Sequence, residues 1–291
     1  MFEGVLTALV TPLRGGAIDE DALRALVERQ IEAGIDGLVP CGSTGEAATL
    51  SHAEHRRVVE IVVQVTRGRV PVVAGTGSNN TREAIELTQH AKAAGADGAL
   101  LISPYYNRPT QAGIVAHFAE IGRSTAFPLV VYNIPARTGS NILPATLEKI
   151  ARIPQVVGVK EASGDLGQVS EAIARCPDDF AVLSGDDALT LPVLALGGKG
   201  VVCTSSNVAP REMVSLVRAF RGGDAVHARQ IHYRLLPLFD VLFCETNPIP
   251  VKAALARMDL IGEEIRLPLT PLTEPNRERL QVVLKELGLI G

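Results

Sequence analysis

Short apolar runs alternate with stretches of helical periodicity from one end of the chain to the other. Runs at Gly4–Val10, Gly37–Cys41, Val70–Ala74, Gly98–Ile102, Pro128–Tyr132, Val156–Lys160, Phe180–Leu183 and Gly200–Cys203 read as strands buried on both faces. Between the first two, Leu23, Leu26, Val27 and Ile31 recur at helical spacing. Ser51 followed by Glu54 forms a capping box, and Asp19 and Asp165 are suited to cap further helices. A local repeat, A-G-I-D-G-L at Ala33–Leu38 and A-G-A-D-G-A at Ala94–Ala99, marks two helix-to-strand joints where glycine ends the helix. Eight runs, each followed by a helix, predict an α/β fold of the (β/α)8 TIM-barrel type over residues 1–223. A doubly wound sheet is the rival, but G-T-G-S-N-N at Gly75–Asn80 lacks the third glycine of a dinucleotide turn. After Gly223 the rhythm changes. Ala225–Phe239, Pro248–Met258 and Pro275–Leu287 read as helices without intervening strands, so residues 224–291 are expected to form a small C-terminal helical appendage.

One position breaks the apolar pattern. Lys160 stands near the end of V-V-G-V-K, where another valine would fit. An unpaired ammonium is costly to bury, so this group must be paired, neutral, chemically used, or able to snorkel out. Strict alternation would aim Val156, Gly158 and Lys160 the same way, with Gly158 leaving room beneath the lysine.

Composition narrows the function classes. A net charge of -4 and a pI near 5.9 offer no electrostatic footing for a nucleic acid. The cysteines Cys41, Cys176, Cys203 and Cys244 have no metal-binding spacing, and Cys41 and Cys203 end apolar runs as small hydrophobes. No apolar run is long enough to span a membrane, and the first residues lack a signal-peptide pattern, so a reducing cytoplasm is expected. Asp186 and Asp187 lack further ligands at metal-binding spacing, and no metal or cofactor is expected.

In a barrel of this type chemistry gathers where strands finish. Here the finishing residues are polar: Cys41-Gly42-Ser43-Thr44-Gly45-Glu46, Ser103-Pro104-Tyr105-Tyr106-Asn107, Tyr132 to Gly139, Lys160, Ser184-Gly185-Asp186-Asp187 and Thr204-Ser205-Ser206-Asn207. Tyr132 and Lys160 lie one strand–helix unit apart and are expected on neighbouring strands roughly 4.8 Å apart. A phenol at that range can pass protons to and from a substrate held on an amine. An amine nucleophile must shed its proton, which desolvation favours, and it then condenses with a carbonyl to a Schiff base. Arg137, in the loop after Tyr132, could clamp a small carboxylate in bidentate fashion or simply be solvated.

At these residues the chain becomes recognisable. G-S-T-G-E, P-Y-Y-N-R-P, Y-N-I-P-A-R-T-G, G-V-K-E-A-S-G-D and S-G-D-D follow one another along the barrel, with N-P-I-P-V-K at Asn247–Lys252 in the appendage. Together they closely resemble the pyruvate-dependent class I aldolase family of dihydrodipicolinate synthase and N-acetylneuraminate lyase. Within it the synthase branch is the nearer match. That resemblance implies condensation of pyruvate with L-aspartate-4-semialdehyde on the way to diaminopimelate and lysine. It implies Lys160 as Schiff-base lysine and Tyr132 as proton donor and acceptor. Thr44 would hold the pyruvate carboxylate, Val202 would contact pyruvate through its backbone, Gly185 would also bind the substrate, and Ser43 would join Thr44 in a proton relay. Tyr106 would complete the relay across a subunit interface, which implies a homo-oligomer, a tetramer built as a dimer of dimers. Arg137 would receive the semialdehyde carboxylate.

The resemblance extends to an L-lysine feedback site at His52, His55, Asn79, Glu83 and Tyr105. By helical spacing His52 and His55 share a face, and Glu83 could pair an ammonium. Ser43 stands where synthases carry a second threonine, and Ala136 replaces a glycine before the arginine. The alternatives are a sibling lyase or aldolase acting on a sugar acid, such as N-acetylneuraminate or a 2-keto-3-deoxy acid, and a carbonyl-metabolite sensor without turnover.

Overall fold

A computed structural model describes residues 2–291 of the chain. Eight strands, β1 (Gly4–Ala8), β2 (Gly37–Val39), β3 (Val73–Gly75), β4 (Gly98–Ile102), β5 (Leu129–Asn133), β6 (Val156–Glu161), β7 (Ala181–Ser184) and β8 (Gly200–Cys203), pair in parallel. The order runs β2-β1-β8-β7-β6-β5-β4-β3, and a bridge from Leu38 to Val72 brings β2 against β3 to close the ring. Closure requires a near contact: a Cβ on Gly75 would lie 2.2 Å from the Cys41 carbonyl oxygen, so only glycine fits there. A two-strand hairpin, Leu13–Arg14 with Ala17–Ile18, follows β1.

Helices alternate with the strands: α1 (Glu20–Glu32), α2 (His52–Thr66), α3 (Thr81–Ala94), α4 (Gln111–Thr125), α5 (Pro144–Ala151), α6 (Leu166–Arg175), α7 (Thr190–Ala195) and α8 (Pro210–Arg221). The expected caps are present. Asp19 accepts from the Ala22 amide, Asp165 from the Gly167 and Gln168 amides, and Ser51 with Glu54 closes a full capping box on α2. Gly95 ends α3 with a φ of +91°, a conformation that favours glycine. Three more helices follow without strands, α9 (Ala225–Val241), α10 (Ile249–Arg257) and α11 (Glu274–Glu286).

Apolar residues form two layers. Leu6, Ala8, Val39, Val73, Leu100, Val130, Leu183 and Val202 fill the barrel interior, with Phe2 among them. A second, larger cluster lies between strands and helices, and it continues through Leu235, Phe239, Val251, Leu255, Leu280 and Leu284 of the last three helices. Those helices therefore share the barrel's outer core. No helix among the described residues is long and apolar enough to cross a membrane.

Strict alternation fails in β6. Leu129 pairs with Val156 but Val130 with Gly158, so Val157 is an extra residue, a β-bulge. Val156 consequently joins Val159 in the outer cluster, while Val157 packs on the inner one. Gly158 makes no room for the lysine either. A Cβ there would meet the Ala181 carbonyl oxygen at 2.6 Å, so the space belongs to β7.

Candidate active site

The β5–β6 ladder sets Tyr132 directly beside Lys160, and Asn133 beside Glu161. The Lys160 side chain points into the barrel mouth, 7% exposed, with Nζ 4.1 Å from the Tyr132 ring centroid. No carboxylate lies within ion-pairing reach of this amine among the described residues. Room for it comes from β7's end. A Cβ on Gly185 would stand 3.0 Å from Lys160 Cγ, 3.1 Å from Cε and 2.7 Å from Ala162 Cβ.

On the far side of the ladder a buried polar network fixes the same strand ends. Asn133 Nδ2 donates to Glu161 Oε2 at 2.9 Å and to Asn141 Oδ1 at 2.8 Å, while the Ser163 amide donates to Glu161 Oε1 at 2.7 Å. Gln168 and Asn141 exchange hydrogen bonds at 2.7 and 3.1 Å. Because each buried group is satisfied, the network holds the ladder that aligns Tyr132 with Lys160. Sequence reasoning missed it; the only signal was a second charge, Glu161, in a strand.

Thr44 is buried at the end of β2, in a turn that carries Ser43 and Glu46. Its Oγ1 accepts from Asn247 Nδ2 at 2.9 Å and lies 3.4 Å from Thr204 Oγ1. Arg137, in the turn after β5, donates through Nη2 to the Asn247 carbonyl at 3.1 Å. Asn247 precedes α10, so the last helices reach into the barrel mouth, and its Oδ1 is buried without a partner. Val202 lies in the barrel interior beside this mouth.

Asp187 is fully buried, and the Thr204 and Ser205 amides and the Ser205 hydroxyl donate to it. Burial pushes its carboxyl upward, opposed by those hydrogen bonds. Its work is to fasten the turn after β8. Burial likewise raises the Cys41 and Cys203 thiols, which leaves them inert.

One cavity of about 560 Å³ opens on this site, lined among others by Ser43, Glu46, Tyr132, Arg137 and Asn247. It continues past Ala48 and Leu50 to His52, His55, Ser78, Glu83 and Tyr105. The structure thus brings four of the five expected feedback residues to one wall. Asn79 is set apart from the cavity lining, its side chain donating to the Tyr105 carbonyl at 3.1 Å. His52 meets Glu83 at 2.8 Å, and Glu83 is held low chiefly by the Ser78 hydroxyl. His55 lines the same cavity as His52 but lies deeper. It is buried against the Gly75 carbonyl at 2.7 Å, and burial lowers its imidazole. Tyr106 contacts none of these groups: it is 89% exposed, on a backbone with φ of +68°.

The arrangement suits carbonyl condensation: a phenol, the Ser43 hydroxyl and an arginine line one hollow, and the Lys160 amine stands behind the phenol, outside that lining. A family model, the dihydrodipicolinate synthetase family, matches residues 1–287. The 4-hydroxy-tetrahydrodipicolinate synthase of Syntrophus aciditrophicus strain SB is 57% identical over 291 residues, all of both chains. The crystal structure of dihydrodipicolinate synthase from Aquifex aeolicus superposes with a TM-score of 0.98 at 46% identity, covering 99% of each chain. The structure of the enzyme from Cyanidioschyzon merolae with lysine bound matches with a TM-score of 0.97 at 41% identity, again over 99% of each. The chain belongs to the dihydrodipicolinate synthetase family.

Proposed function

We propose that the chain is a 4-hydroxy-tetrahydrodipicolinate synthase, a class I aldolase-type lyase that joins pyruvate to L-aspartate-4-semialdehyde. The observation that carries this reading is the ladder pair Tyr132–Lys160 at the barrel mouth, with Arg137 lining the same cavity as Tyr132. The Lys160 amine adds to the pyruvate ketone, and loss of water leaves a protonated imine. A proton leaves the methyl carbon to give an enamine, which attacks the semialdehyde's aldehyde carbon while the aldehyde oxygen takes a proton. The product's amine then adds to the imine carbon, closes the ring and releases Lys160.

Tyr132 moves the protons, since its ring adjoins Nζ. Thr44 holds the pyruvate carboxylate, with Val202 and Gly185 as walls, and Ser43 and Thr44 form a relay with Tyr106 of a second subunit. A ring as exposed as Tyr106 on a strained backbone suits that role at a contact with a second copy, and family resemblance favours a tetramer, a dimer of dimers. Arg137 receives the semialdehyde carboxylate. Its position at the cavity favours the synthase over a sugar-acid lyase.

L-Lysine is the expected inhibitor at His52, His55, Glu83 and Tyr105, with Asn79 supporting the Tyr105 backbone. We divide the chain into a barrel, 1–223, and a helical appendage, 224–291, on the change of element rhythm. Four free cysteines suit a reducing cytoplasm.

The test supplies pyruvate with either aldehyde, L-aspartate-4-semialdehyde or N-acetylmannosamine, and follows product by mass spectrometry. Condensation with the semialdehyde alone is expected. Turnover only with the sugar would transfer the assignment to the lyase branch.

A further inference from the structure

The segment 43–46, which carries Ser43 and Thr44, is joined to the segment 247–252 of the appendage at two points. At the cavity Asn247 donates to Thr44. Deeper down, Lys252 Nζ meets Glu46 Oε1 at 2.5 Å, with side chains only 1% and 2% exposed. Lys252 also donates to the Thr11 carbonyl at 3.2 Å, and the Arg266 amide donates to the other Glu46 oxygen at 3.2 Å. Glu46 takes a left-handed φ of +55°, so the turn bends tightly to present its carboxylate inward. Arg266 adds a second brace, bonding the Thr49 carbonyl at 2.9 Å and gripping Glu54 of the α2 capping box.

A buried ion pair is poor evidence of stabilisation, because desolvation consumes most of the attraction. What it supplies is geometry. Two charges that must meet fix the distance between the elements bearing them, and Thr44 lies two residues from Glu46.

We propose that Glu46 and Lys252 are positioning residues for the reaction: their ion pair sets where the Thr44 hydroxyl stands, making the appendage part of the pyruvate site. This rests on the reading above that Thr44 holds the pyruvate carboxylate. The pair touches no reacting atom itself. It acts through the turn, much as a screw holds a bracket.

The test is a cycle on the full chain combining E46Q/K252M with T44V. Gln keeps an acceptor for the Arg266 amide and Met keeps the volume of the lysine stem, so removing both charges together leaves neither one buried alone. The readout is the pyruvate concentration that half-saturates borohydride trapping at Lys160, alongside the melting temperature. E46Q/K252M is expected to raise half-saturation about 10-fold, since small misplacements of a binding group cost this much or more. Adding T44V should raise it no further than about twofold, because both changes disable one contact. Effects that multiply, or wild-type half-saturation in a folded variant, overturn the proposal. Should the double variant not fold, Glu46→Asp, which keeps the charge on a shorter arm, enters the same cycle under the same criteria. A wild-type chain that traps no pyruvate at Lys160 refutes the underlying function instead, so the two failures are distinct.

Discussion

Gly185→Ala perturbs the amine by a single methyl group. The added Cβ would start 2.7 Å from Ala162 Cβ, 3.0 Å from Lys160 Cγ and 3.1 Å from Lys160 Cε. Carbon atoms rest roughly 3.5–4.0 Å apart, so the lysine stem must retreat by about 0.5 Å and Ala162 by about 0.8 Å. Overpacking of this kind costs about 1–3 kcal/mol, which lowers the melting temperature by a few degrees. The chemical effect should be larger. A displacement of about 0.5 Å is at the limit of what a catalytic group tolerates, and 1 Å costs on the order of 100-fold. Trapping of pyruvate by borohydride, followed by intact mass against time, should therefore slow about 10-fold. If G185A traps pyruvate at the wild-type rate, Gly185 is not what gives Lys160 its place.

Three further outcomes are expected. Tyr132→Phe keeps the ring beside Lys160 Nζ but removes the hydroxyl, so kcat should fall about 10²- to 10⁴-fold with the fold intact; near-normal turnover would assign proton transfer elsewhere. Arg137→Ala loses one backbone hydrogen bond, to Asn247, and should reduce kcat/KM for the semialdehyde about 10- to 150-fold while pyruvate trapping is little changed. Loss confined to pyruvate would contradict the role given to the arginine. Burial lowers the His117 imidazole from 6.5 to about 4. Between those values the unfolded chain binds a proton that the folded chain refuses. Its contribution is complete above 6.5 and is lost as pH falls toward 4, amounting to about 3 kcal/mol. His117→Gln should flatten urea midpoints measured from pH 7 to 4.5, and an unchanged slope would assign acid sensitivity to other groups.

The strand runs were legible because a parallel barrel buries both faces of each strand, leaving unbroken apolar stretches: Gly98–Ile102 and Gly200–Cys203 lie where the pattern put them. Tyr132 and Lys160 were legible because polar residues ending apolar strands stand out, and one strand–helix unit makes them neighbours. Alternation misled at Val156 because a bulge adds a residue without any compositional mark. The same blindness to register credited Gly158 with space that Gly185 provides, since only the three-dimensional ring shows which glycine faces the amine. Spacing placed His52 and His55 on one helix face, and both line the cavity, but it could not show that His55 is buried against the β3 carbonyl of Gly75 while His52 meets Glu83. Asn247 and the Glu46–Lys252 pair were hidden by distance along the chain, for nothing in N-P-I-P-V-K shows that it folds back some 200 residues onto the β2 turn.

Covalent chemistry at Lys160 is the claim on which the rest depends. The chain incubated with pyruvate and borohydride, then digested and sequenced by mass spectrometry, should carry one reduced pyruvyl group, on Lys160. The label on Lys252 or Lys199, or no label in a folded chain, would contradict it.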